Sequence, residues 1–151
     1  MTNSEAERAW AAIVRAHARL VPLLDSDMQA ETGLPLAWYD VLLELSSAGG
    51  RLRMSELGER VVLSRTRVSR IVDELERAGL VAREPNPDDG RSSFASLTEE
   101  GRRRFRESGR VYRRGIQREL GDRADEASLR SLADTLERIL AASAETERPR
   151  Q

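Results

Sequence analysis

Between Ser55 and Gly79 two apolar helical stripes follow each other with only two or three residues in which to turn. Leu57 and Val61 mark the first stripe. Val68, Ile71, Val72 and Leu75 mark the second, at the i, i+3, i+4, i+7 spacing of an amphipathic helix. Ser55 is expected to cap the first helix and Ser64 the second. Gly79 stops the second as a left-handed residue past a helix end does. Two short helices, a tight turn between them and one buried face on each make a helix-turn-helix.

After Gly79 the apolar period changes from helical to alternating. Leu80–Arg83 and Ser93–Leu97 read as strands, and the Pro-, Asp- and Gly-rich run Pro85–Arg91 between them reads as a turn. A β-hairpin directly after a helix-turn-helix makes a winged helix.

Long helices flank this centre. Trp10, Ile13, Val14, His17, Leu20, Val21, Leu24 and Met28 recur at three- and four-residue steps, which predicts one helix from about Ser4 to Gln29. Thr32–Pro35 breaks it. A second helix over Leu36–Ser47 carries Trp38, Val41, Leu42 and Leu45 on one face, and Arg51–Arg53 follows as a short extended link. Beyond the hairpin, Thr98 caps a helix with Glu99 and Glu100 in its first turn and Phe105, Tyr112 and Ile116 on its buried side. A last helix, from about Asp125 to Ala142, has Leu129, Leu132, Leu136, Ile139 and Leu140 as its stripe. The fold class expected is mainly α, a winged helix-turn-helix core between long N- and C-terminal helices. Its parts are residues 1–33, 34–97 and 98–145, with 146–151 as a flexible tail. The outer stripes are too long to be buried on so small a centre. Packing them on a second copy gives a two-fold dimer; the alternative is that the two ends fold back on each other.

The chain has no cysteine and a single histidine, His17. Thiol chemistry, disulfides and cysteine-bound zinc are excluded, and a multi-histidine metal site or a Ser-His-Asp triad is disfavoured. No nucleophile–base set stands out, so no enzyme, metal or cofactor is expected. No apolar run approaches the roughly 18 residues of a membrane span, and the N-terminus lacks a signal-peptide plan. A cytoplasmic protein is the expectation.

All 25 basic residues are arginine, so their position says more than their number. Residues 1–50 carry 3 arginines and 7 acids, residues 51–118 carry 17 and 11, and residues 119–151 carry 5 and 8. A basic centre between acidic ends suits a middle that binds a polyanion. Within that centre, Arg65, Arg67 and Arg70 open a helix whose first acid is Asp73. The positive end of the helix dipole disfavours cations there, typically by 0.3–1 kcal/mol each. On a helical wheel of about 100° per residue, Thr66 and Arg70 lie opposite the apolar stripe, with Ser69 beside them and Arg65 and Arg67 on the flanks. A helix-turn-helix inserts this end of its second helix into the major groove of DNA. There an arginine fork can grip a guanine, worth about 1–3 kcal/mol of discrimination, which outweighs the dipole cost. Arg70 and Thr66 are best aimed at bases, while Arg65 and Arg67, on the flanks, serve as phosphate anchors, and the cap Ser64 is counted with them at the DNA contact. At the hairpin tip, Arg91 has the reach of a minor-groove contact, with Asp89 two residues away to fix its direction. The alternative, a winged helix used as a protein-interaction or dimerisation module without DNA affinity, leaves the cationic helix opening without a purpose.

From Leu34 to Gly101 the chain resembles the MarR family of bacterial transcriptional regulators. The resemblance is carried by "LPLAWYDVLLEL", "MSELGERVVLSRTRVSRIVDELERAGLVAREPNPDDGR" and "SFASLTEEGR". It implies a homodimer that binds a pseudo-palindromic operator on double-stranded DNA. By that pattern Arg65, Thr66, Arg67, Ser69 and Arg70 fall on the reading helix, and Asp89 and Arg91 form the wing pair. Gly90 replaces the arginine common between those two, and Gly58 an alanine common in the preceding helix. The resemblance also implies repression relieved by a small aromatic or phenolic anion. Trp10, Arg15, His17 and Trp38 are the residues here that would line its pocket.

Overall fold

The structure is a computed structural model that describes residues 4–61 and 63–146. The chain forms two compact units, one running to Arg113 and one starting at Arg114.

In the first unit, α1 (Glu5–Thr32) opens with a reciprocal cap, in which the Ser4 hydroxyl accepts from the Glu7 amide and the Glu7 carboxylate accepts from the Ser4 amide. It runs three residues past the expected end. Thr32 does not break it, because its hydroxyl donates to the Met28 carbonyl at 2.6 Å; Gly33, at φ 68°, does. Helix α2 (Leu36–Ser47) follows Pro35, whose side chain cannot cap. Asp25 of α1 supplies the missing acceptor, taking the Leu36 amide at 2.8 Å. The aromatic that α2 buries is Tyr39 and not the expected Trp38; Tyr39 stacks on Phe105 and lies tilted against Tyr112.

The expected extended link Arg51–Arg53 is a strand, β1. It pairs antiparallel with β3 (Ser93–Leu97), which pairs on its other side with β2 (Val81–Pro85). Helix α3 (Met54–Arg60) starts one residue before Ser55, so Ser55 lies inside it and is no cap; the Glu56 carboxylate instead accepts from the Arg53 amide at 3.1 Å. Helix α4 (Arg65–Arg77) begins at Ser64 as expected. Its stripe of Val68, Ile71, Val72 and Leu75 enters one core with Leu42, Leu45, Leu57, Val81 and Ala95. Burying such side chains is worth about 1.5–3 kcal/mol each, and this is what holds α4 in place. Helix α5 (Glu99–Ile116) is capped by Thr98. A Cβ at Gly101 would stand 2.0 Å from the Leu80 carbonyl oxygen, so only glycine permits this close approach.

In the second unit a π-helical turn, Gln117–Gly121, buries Glu119 between Arg118 at 2.7 Å and Arg123 at 3.1 Å. Helix α6 (Glu126–Thr146) is capped by Asp125, and its expected stripe residues Leu132, Ile139 and Leu140 are exposed. The end of the expected tail, residues 147–151, lies outside the described residues. Among the described residues no helix is long and apolar enough to cross a membrane.

Candidate nucleic-acid interface

Four of the residues expected to contact DNA occupy one exposed end of α4. Ser64 adopts the extended cap conformation, and its hydroxyl accepts from the Arg67 amide at 3.3 Å. Ser64, Arg65, Thr66, Arg67 and Arg70 are all exposed. Among the described residues no carboxylate lies within ion-pair range of Arg65, Arg67 or Arg70. The acids of α4 are occupied elsewhere. Asp73 accepts from the Arg83 guanidinium at 2.6 Å, Glu76 from the Arg83 amide at 2.9 Å, and Glu74 from the Trp38 indole at 3.0 Å. One helix thus spends its negative charge holding itself in the fold and leaves its positive charge unpaired.

Ser69 differs from its neighbours. It is half-buried, and the same Arg83 nitrogen that reaches Asp73 also reaches its carbonyl at 3.2 Å and its hydroxyl at 3.4 Å. The hydroxyl expected beside the base-reading residues is therefore engaged inside the protein.

The hairpin tip is built from its own side chains. Asn86 is only 4% exposed; its amide donates to the Ser92 hydroxyl at 2.9 Å and its Oδ1 accepts the Asp88 amide at 3.0 Å. Asp89 and Arg91 are brought together, but not as an ion pair. The Asp89 carboxylate takes the Arg91 backbone N–H at 3.0 Å, an Asx turn. It shapes the backbone under Arg91 and leaves the guanidinium free. Lower on the hairpin, Arg51 pairs with Glu84 at 3.3 Å and lies 3.9 Å above the Phe94 ring.

Between α3, α4 and the hairpin runs a groove of about 300 Å³, lined by Ser55, Gly58, Arg65, Ser69, Arg83 and Arg91 among others. Two free guanidiniums, from the reading end of α4 and from the wing tip, thus flank one concave surface that suits an anionic backbone.

The residues expected at an effector pocket are not part of that groove. Trp10 is 67% exposed and Arg15 and His17 are exposed, all on α1, while Trp38 on α2 is half-buried and bonded to Glu74. Three residues missed from the sequence matter to the site. Glu74 and Arg83 fix α4, and Asn86 fixes the tip. The Asn-Pro-Asp run signals a turn, but nothing local marks Arg83, whose partner Asp73 is reached only once the hairpin has folded back.

Comparison with known proteins agrees with this geometry. The MarR family profile matches residues 32–92. The structure of Sco3205, a MarR family transcriptional regulator from Streptomyces coelicolor solved in complex with DNA, is 30% identical. It covers all of this chain and 94% of its own, with a TM-score of 0.84. AbsC, a MarR family transcriptional regulator from the same organism, is 29% identical over 96% of this chain and 99% of its own, with a TM-score of 0.85. The HTH-type transcriptional regulator YkoM of Bacillus subtilis is 38% identical over 60 residues, which span 40% of this chain and 39% of that regulator. Sequence motifs, winged-helix topology and full-length similarity converge, and the chain belongs to the MarR family.

Proposed function

We propose that this chain is a sequence-specific, non-enzymatic DNA-binding transcriptional regulator that acts in the cytoplasm as a homodimer on a pseudo-palindromic operator. The observation that carries the reading is the unpaired state of Arg65, Arg67 and Arg70 at the exposed end of a core-anchored helix. A chain that bound no anion would gain stability by acids at that end. Similarity to a relative solved on DNA supports the same reading. In this reading Arg70 and Thr66 face bases, Ser64, Arg65 and Arg67 face phosphates, and Arg91, on the turn shaped by Asp89, enters the minor groove. The homodimer is supported by the exposed apolar residues Trp10, Ile13, Val14 and Val21 on α1 and Leu132, Ile139 and Leu140 on α6, which need a partner surface. Repression relieved by a small aromatic anion completes the reading, with Trp10, Arg15, His17 and Trp38 as its candidate contacts.

The test is selection of bound duplexes from a random DNA pool, followed by titration across salt. A two-fold symmetric consensus is expected, with affinity falling steeply as salt rises. Arg70→Ala is expected to weaken binding by about 1–3 kcal/mol and to relax the preference at one base position per half-site. No enriched sequence, or affinity indifferent to salt, would sink the proposal.

A further inference from the structure

We infer that Arg83 is the positioning residue that brackets the wing to the reading helix, so that Arg91 meets the DNA at a set distance from Arg70. This rests on the DNA-binding reading above. Arg83 lies on β2, between the buried base of the hairpin at Leu80 and Val81 and its exposed tip from Glu84 to Arg91, Asn86 apart. The base is fixed by the core. Above it on β2, Glu84 turns away from α4 to Arg51 and Ser96. β1 braces β3 as far as Phe94, but a β2 edge without a tie to α4 would leave the tip free to swing against the helix.

Arg83 prevents that with four bonds to one helix. Its amide donates to Glu76, and one guanidinium nitrogen donates to the Ser69 carbonyl, the Ser69 hydroxyl and the Asp73 carboxylate, while the Nε is buried without a hydrogen-bond partner. These bonds span two turns of α4, from Ser69 to Glu76, and they cross from strand to helix just behind the reading face. The nitrogen that makes these contacts is turned to α4 and away from the groove-facing residues Arg65 and Arg91. The role of Arg83 is to hold Ser69, as a buttress and not as a base reader, and to carry the wing with the helix.

The test is a set of double-mutant cycles on the selected operator, read by fluorescence anisotropy, with thermal melts of every variant. The informative variant is Asp73→Asn, which loosens the bracket while removing a negative charge beside the site. If charge alone mattered, this variant would bind DNA more tightly. The bracket predicts the reverse, binding weakened severalfold with the Arg91 contribution lost. Arg91→Ala is expected to weaken binding about tenfold in the native background, and less than about threefold in Asp73→Asn or Arg83→Ala. Effects of Arg83 and Arg91 that multiply, or tighter binding by Asp73→Asn, would each overturn the inference. A native chain that selects no DNA would overturn the DNA reading itself, and this inference with it.

Discussion

Helices α4 and α5 open in the same way and carry opposite charge. Each begins with a hydroxyl cap: Ser64 accepts from Arg67, and Thr98 from the Gly101 amide at 3.0 Å. Behind its cap α5 places Glu99 and Glu100, as the helix dipole favours. Arginine follows only at 102 and beyond, and Arg103 is gripped by Glu100 and Glu107. That grip holds the Glu100 carboxyl below its ordinary range. Behind its cap α4 places Arg65 and Arg67 and no acid. The caps answer to the backbone, which needs its first amides satisfied whatever the helix does. The charges answer to what lies outside the fold, water for α5 and a polyanion for α4.

Reversing one charge is the strongest way to break this comparison. Arg67→Glu gives α4 the opening of α5. It is expected to raise thermal stability, by about 0.3–1 kcal/mol, while weakening operator binding by more than Arg67→Ala does. A variant that lost stability and affinity together would mean that Arg67 serves the fold. Next in size are the caps. Ser64→Ala and Thr98→Ala are each expected to cost about 1 kcal/mol in chemical denaturation. Thr98 costs the more, since its hydroxyl also donates to the Gly79 carbonyl at 2.7 Å and ties the end of α4 to the start of α5. Equal costs would remove that second role.

The smallest effect is acid sensitivity. Asp125 caps α6 by accepting from the Ser128 amide and hydroxyl, and these bonds hold its carboxyl below the ordinary value of 3.8. A carboxyl lowered by folding supports the helix above its unfolded value and loses that support as pH falls through the folded one. Protection of the amides in the first turn of α6, taken against the intrinsic exchange rate at the same pH, is therefore expected to fall below about pH 4. The turn behind Ser64, whose cap does not titrate, is expected to show no such step. Asp125→Asn should abolish the step in α6, and an unchanged profile would show that another group titrates there.

How far the sequence could be read follows from the range of the interactions involved. The stripe Val68–Leu75, the caps Ser64 and Thr98 and the hairpin are local patterns, and each was legible within a dozen residues. So was the exposure of Arg65, Arg67 and Arg70, since opposite faces of a helix are fixed by its period. What was not legible needed chain from elsewhere. The Leu36 amide is capped by Asp25 across a turn, Arg51–Arg53 becomes a strand only because β3 lies beside it, and Ser69 is covered by a residue 14 positions on. Asp89 acts on Arg91 by a route shorter than a pairing of side chains. Its partner is the backbone N–H two residues away, which a short carboxylate reaches more readily than a mobile guanidinium.

The bond from Trp38 to Glu74 also makes the molecule its own optical probe. There are two tryptophans, one on the open face of α1 and one whose indole is bonded to the reading helix. Replacing Trp10 by phenylalanine leaves a single fluorophore whose emission registers the polarity around Glu74. Any ligand, operator or substitution that shifts α4 against α2 then changes a colour that can be followed in real time, without a label and without touching the residues that would meet DNA.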